Sequence, residues 1–145
     1  MKLSRVLLAA ALIVTLFTGC GSGKEPANSG DTVLATTYPM YYLTSRLLEG
    51  VKGGSAELMI SDSVSCLHDY TLTTAQMRKI DRADLVVMNG GGLEDFMQSA
   101  LSGVTAEAVI AVCPDGEDPH LWLDPLRFRA AASKISEALI QRYPE

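Results

Sequence analysis

The chain has 145 residues, 48% of them hydrophobic, enough for one modest domain but not for two. Seventeen acidic residues stand against twelve basic ones, a formal charge of −5, which argues against nucleic acid because that partner needs a basic face. With two histidines and three cysteines, each candidate metal ligand of the softer kind can be followed individually.

Residues 1–19 read as a secretory leader. Lys2 and Arg5 give a short positive start, and Val6 to Phe17 is an apolar run of about a dozen residues, too short for a stable bilayer span. The alternative, a buried helix, is weak because nothing in that run alternates with polar residues. Phe17-Thr18-Gly19-Cys20 resembles the lipobox of bacterial lipoproteins, in which the cysteine is lipidated and becomes the mature N-terminus; Phe17 stands where that pattern prefers Leu. Residues 20–32 then read as a polar Gly/Ser/Pro tether. Without Lys2 and Arg5 the remainder has ten basic and seventeen acidic residues, a formal charge of −7. The sequence shows no internal repeat and no membrane span after Cys20.

From residue 33 onward, short apolar runs alternate with amphipathic segments. Val33–Thr37 predicts a buried strand, and Pro39 fits the first turn of a helix through Leu48 that Gly50 closes. Ala56–Ile60 is a second strand. Thr73 and Gln76 have the spacing of a capping box, opening a helix marked by Met77 and Ile80 and ended near Asp84. Leu85–Met88 is a third strand running into the Asn89-Gly90-Gly91-Gly92 turn, Leu93–Leu101 a short helix, Ala108–Val112 a fourth strand, and Leu126–Gln141 a longer helix. This rhythm predicts an α/β fold, a parallel sheet of about four strands with helices on both faces, and its loops at the strands' C-terminal edge collect the ligand. The glycine run lacks both the G-x-G-x-x-G spacing and the lysine of a P-loop, so it reads as a turn at a helix entry.

Both histidines fall in loops of that edge. His68 lies in Cys66-Leu67-His68-Asp69-Tyr70-Thr71, just before the capped helix. His120 lies in Glu117-Asp118-Pro119-His120-Leu121-Trp122-Leu123-Asp124-Pro125, between two prolines. Neutral imidazole suits zinc and related ions, and a neighbouring carboxylate can fix its tautomer. Asp69, Asp118 and Asp124 are candidates for that partner, each with the plainer reading of a turn or helix-cap carboxylate.

Five segments in this order carry a resemblance: Thr37-Tyr38-Pro39, His68-Asp69-Tyr70, Ala83-Asp84-Leu85-Val86-Val87, Asn89-Gly90-Gly91-Gly92-Leu93-Glu94 and Asp118-Pro119-His120-Leu121-Trp122-Leu123-Asp124-Pro125. Together they resemble the N-terminal lobe of the zinc/manganese solute-binding proteins of ABC importers, over essentially Asp31 to the end. The resemblance implies one lobe of a two-lobed, periplasmic-binding-protein-like fold, spanning residues 33–145, with His68 and His120 as its metal ligands. A second lobe would supply a further histidine or glutamate and a carboxylate; it is expected to be absent, since Arg142-Tyr143-Pro144-Glu145 falls where the connecting helix should begin. Cys66-Leu67 replaces the Asp-Pro that often precedes the first histidine, and the histidine-rich loop of many zinc-specific members is missing before Asp118.

Cys113, at the end of the fourth strand, and Cys66 both approach the metal edge. A disulfide between them, two free thiols, and a Cys/Cys/His/His metal site are the three readings, the last disfavoured because thiolates in an oxidising compartment tend to pair. The function implied is capture of zinc, alternatively manganese, as transported ligand. Its partners are the membrane permease of an ABC importer and the membrane itself through lipid on Cys20, outside the cytoplasm, with self-association through the exposed lobe face. No enzyme is implied: a catalytic zinc normally has three protein ligands, and the chain offers two histidines and no H-E-x-x-H arrangement. A surface adhesin is the remaining alternative. Cys20→Ala is expected to abolish lipid attachment, and fatty-acid-analogue label retained by that variant would reject the anchor.

Overall fold

The computed structural model describes residues 31–61, 67, 70–105 and 108–144. Four strands, β1 (Asp31–Ala35), β2 (Gly54–Leu58), β3 (Leu85–Gly90) and β4 (Val109–Cys113), alternate with helices α1 (Tyr38–Leu47), α2 (Thr74–Arg82), α3 (Gln98–Leu101) and α4 (Pro125–Arg142). Short 3-10 turns at Asp95–Met97 and Leu121–Leu123 lead into α3 and α4. The strands form one parallel sheet in the order β2-β1-β3-β4.

Alternation along the strands divides the core in two. Val33, Ala35, Leu85 and Val87 face α1 and α4, where Met40, Leu43, Ile135 and Leu139 complete one cluster. Leu34 and Val86 face the other way, toward Ile80 of α2 and Met97. Helices therefore cover both faces, as expected, and the central strands are continuous apolar runs because each face of the sheet is dry.

Local chemistry sets the helix boundaries. The Thr73 hydroxyl accepts from the Gln76 amide while the Gln76 side chain accepts from the Thr73 amide, the expected capping box. Pro39 sits in the first turn of α1, whose buried residues Met40, Leu43 and Thr44 share one face. Asp124 caps α4 by accepting from the amides of Leu126 and Arg127, with Pro125 in the first turn. The α4 residues Ala131, Ile135 and Leu139, four apart, form its buried stripe.

The first two strands begin two residues earlier than expected, at Asp31 and Gly54, because polar residues pair there: Asp31 with Gly54 and Thr32 with Ser55. Hydrophobic runs report burial, whereas backbone pairing extends past it. The short helix after β3 is also split, opening as a 3-10 turn.

At the edge opposite the strands' C-terminal ends, the chain's last turn locks onto its first strand. Arg142 bridges Asp31 (3.1 Å) and Asp84 (3.0 Å), and the Tyr143 hydroxyl donates to the Asp31 carbonyl. Asp84 also accepts from the Thr32 amide at 2.8 Å.

The buried stripe of α4 yields a graded expectation. Ile135 is fully buried, while Ile140 on the same helix is 64% exposed. Ile135→Ala should cost about 2–5 kcal/mol in urea unfolding and Ile140→Ala at most about 0.5 kcal/mol. Equal costs would show that α4 packs by a different face.

Candidate metal-binding edge

The chain leaves β1 for one side of the sheet and later enters β3 on the other, so β1 and β3 flank the topological switch point, where parallel sheets bind ligands. At their C-terminal ends lie Thr36 and Thr37 after β1, and the Asn89–Gly92 turn, which begins in the last two residues of β3. Glu94 joins the two. Its Oε1 accepts from the Thr36 hydroxyl at 2.6 Å and the Asn89 amide at 2.8 Å, and its Oε2 accepts from the Gly90 amide at 2.9 Å. Glu94 is only 2% exposed, and burial pushes its carboxyl above the usual glutamate range while these three donors pull the other way.

The turn fits under the β4 loop because it has no side chains there. Gly90 and Gly91 have positive φ. A Cβ on Gly90 would overlap the Cys113 carbonyl oxygen, and one on Gly91 would press on Cys113 Sγ, the Glu117 carbonyl and Pro119. The run is thus a tight turn closed by Glu94, in keeping with the helix-entry reading.

This packing brings Asn89 to the His120 loop. The fully buried Asn89 donates through Nδ2 to the carbonyls of Pro119 (2.9 Å) and Gly90 (3.2 Å). On the far side of Pro119, Asp118 Oδ1 accepts from the His120 amide at 3.0 Å and lies 2.7 Å from His120 Nδ1. These two contacts hold the Asp118 carboxyl below the usual aspartate range, the backbone one contributing most. An ionised carboxylate only accepts, so in the neutral imidazole the proton lies on Nδ1 and Nε2 carries the lone pair. The imidazole side chain is 55% exposed and meets the Trp122 ring edge-on at 5.3 Å, while the neighbouring Leu121 is buried. The arrangement presents an oriented nitrogen donor to solvent from a rigid base.

Cys113 ends β4, buried and without a disulfide partner among the described residues. Its sulfur lies 3.5 Å from an Arg127 guanidinium nitrogen, and Arg127 pairs with Glu117 at 3.0 Å. Burial pushes the thiol up, with the Arg127 charge opposing. A cavity of about 290 Å³ lies behind it, lined by Cys113, Glu117, Leu121, Arg127 and Lys134 among others. Neither His120 nor Asp118 lines it, so this hollow under the loop is separate from the histidine.

Of the residues singled out from the sequence, His120 and Asp118 come together, the carboxylate against the imidazole. Asp124 takes the plainer role, capping α4. Cys20, Cys66, His68 and Asp69 lie outside the described residues. Tyr70 is described: its hydroxyl accepts from Gln76 Nε2 at 2.7 Å and its ring packs edge-on against Phe96 at 5.3 Å. Among the described residues no three His, Cys, Asp or Glu side chains gather around one point. Roles for Thr36, Asn89 and Glu94 were not assigned from the sequence; a glutamate two residues past a glycine run, on an otherwise apolar turn, was the available signal.

The fold is a parallel α/β domain whose switch point gathers the Asn89–Gly92 turn and the His120 loop. Residues 33–145 match the ZnuA family, the periplasmic component A of zinc-uptake complexes. The high-affinity zinc uptake system protein ZnuA of Bacillus subtilis is 27% identical over 96% of the chain and 51% of its own length. The manganese-binding lipoprotein MntA of Halalkalibacterium halodurans is 26% identical over 98% of the chain and 50% of its own. Among solved structures, the metal-dependent lipoprotein YcdH of Bacillus subtilis superposes with a TM-score of 0.68 at 26% identity, over 79% of the chain and 46% of its own. The Zn(II)-bound ZnuA-like domain of Streptococcus pneumoniae AdcA gives 0.66 at 26% identity, over 79% and 45%. The chain belongs to the ZnuA family. It spans about half the length of the curated relatives it matches.

Glu94 supplies the prediction of this site. Glutamine in its place keeps one acceptor but turns an NH₂ toward a backbone donor, so Glu94→Gln should cost about 1–3 kcal/mol. Because the folded carboxyl titrates above its unfolded value, ionisation lowers stability as pH rises. The cost of the substitution should therefore be greatest below about pH 4.3, the ordinary glutamate value, and shrink as pH climbs through the folded value. Paired unfolding curves across pH check it, and a cost that grows with pH would contradict the assignment.

Proposed function

We propose that this chain captures a divalent transition metal at the C-terminal edge of its sheet, with His120 and His68 as ligands, and serves as the extracytoplasmic receptor of an ABC importer. Lipid on Cys20 would hold it at the membrane, and the permease of the importer would receive the metal. The role is binding, with no chemistry on the ion.

The observation that carries this reading is the Asp118–His120 pair. A carboxylate on Nδ1 orients the ring and leaves Nε2 free to bind a metal, the usual arrangement behind a metal-bound histidine. Trp122 and the buried Leu121 restrict the ring and its backbone, so little order has to be gained on binding. Membership in a family described by zinc uptake agrees with it. His68 is chosen as the second ligand because its loop leaves β2 at the same edge and because of the family resemblance.

Zinc is favoured as the ion. Imidazole is a borderline donor that suits zinc, and manganese stands lowest in the affinity order for such ligands. The names of the relatives include both a zinc uptake protein and a manganese-binding lipoprotein, so the choice rests on the ligand chemistry.

Zinc titration by calorimetry tests the proposal, with manganese as competitor. Asp118→Ala should weaken zinc about 10–100-fold by releasing the ring. His120→Ala and His68→Ala should each weaken it at least as much, and manganese should compete poorly. Binding that survives both histidine substitutions would place the site elsewhere.

A further inference from the structure

The His120 loop is not held by Asp118 alone. We infer that Asn89 is a positioning residue for His120: its side-chain amide, carried on a backbone that Glu94 clamps, holds the Pro119 carbonyl and thereby sets the imidazole where the metal meets it. This rests on the reading of His120 as a ligand.

Three features of Asn89 support the assignment. The amide orientation is determined, since Nδ2 donates to two carbonyls, Pro119 at 2.9 Å and Gly90 at 3.2 Å; turned over, Oδ1 would face two acceptors. Its Oδ1 is buried with no partner among the described residues. A buried acceptor left so costs stability, and the fold retains it where Nδ2 of the same amide reaches the loop. Finally, the backbone on either side of the side chain is clamped: the amides of Asn89 and Gly90 both donate to Glu94, which also takes the Thr36 hydroxyl. The Asn89 side chain therefore projects from a fixed base.

The geometry makes a chain of rigid links. Glu94 fixes the Asn89 backbone, Nδ2 fixes the Pro119 carbonyl, proline restricts the backbone at 119, and Asp118 closes the other side by taking both the His120 amide and Nδ1. The imidazole is thus located from two directions, through its backbone by Asn89 and through its ring by Asp118. Loss of the first leaves the ring paired with Asp118 while the pair moves as a unit.

Asn89→Asp tests this, because it keeps the shape and replaces the donor with an acceptor facing two carbonyls. With zinc as the probe, affinity should fall about 10–100-fold, as for other groups that support a ligand. Ile135→Ala lowers stability from behind the sheet and serves as the control. Measured where unfolding curves show both variants folded, it should keep affinity within about twofold of wild type. Wild-type affinity in Asn89→Asp, with affinity lost in His120→Ala, would overturn the positioning role alone; affinity retained in His120→Ala as well would overturn the metal reading on which it rests. Where Asn89→Asp does not fold, the wild-type chain decides. Coupling is reciprocal, so if the Asn89–Pro119 bond favours zinc, zinc must favour the bond by the same factor. Exchange of the Asn89 side-chain amide protons should slow about tenfold or more on zinc saturation, and an unchanged rate would overturn the inference.

Discussion

One buried carboxylate holds the ligand edge of this domain together. At the switch point of a parallel sheet the two flanking strands part, and the amides of Asn89 and Gly90 at the end of β3 meet a side chain there. Glu94 is that side chain, accepting from Asn89 and Gly90 while reaching across to Thr36 beyond β1. Burial opposes the charge and three short donors favour it, and the raised carboxyl records that burial is the larger effect. Thr36, Asn89 and the glycine turn have their positions because this exchange is satisfied.

The same short stretch touches both histidine loops. Asn89 at its start reaches Pro119, next to His120, and Phe96 near its end packs against Tyr70, two residues past His68. Tyr70 is itself fixed by Gln76 Nε2, whose side chain closes the α2 capping box and also donates to the Met59 carbonyl. Loops that are far apart in sequence are therefore referred to one rigid turn. Glycine at 90 and 91 is what lets that turn lie flat under the β4 loop.

Much of this was legible in the amino-acid sequence. Strand and helix alternation follows from hydrophobic periodicity, and the Thr73–Gln76 box and Pro125 mark helix starts by local chemistry alone. Asp118 was visible only as one of three candidate partners of a histidine. What the sequence hid was long-range. Thr36 and Glu94 are 58 residues apart and Asn89 and Pro119 are 30 apart, and no periodicity encodes such pairs. The choice among the three aspartates was equally hidden: Asp118 and Asp124 both sit near prolines, and only the fold shows that one faces the imidazole and the other the start of α4.

The parallel sheet has a consequence for how the domain stands relative to whatever holds it. All four strands run the same way, so Asp31 enters at one rim and the histidine loops leave at the other. Five residues of strand separate the rims by about 17 Å at ~3.3 Å per residue, before the loops are added. Arg142 and Tyr143 fasten the end of α4 to the entry rim, and Asp124 fixes its start near the histidine rim, so the helix props the two apart. An attachment upstream of Asp31 thus pulls on the rim away from His120. A domain moored by that end turns the exposed imidazole away from the mooring.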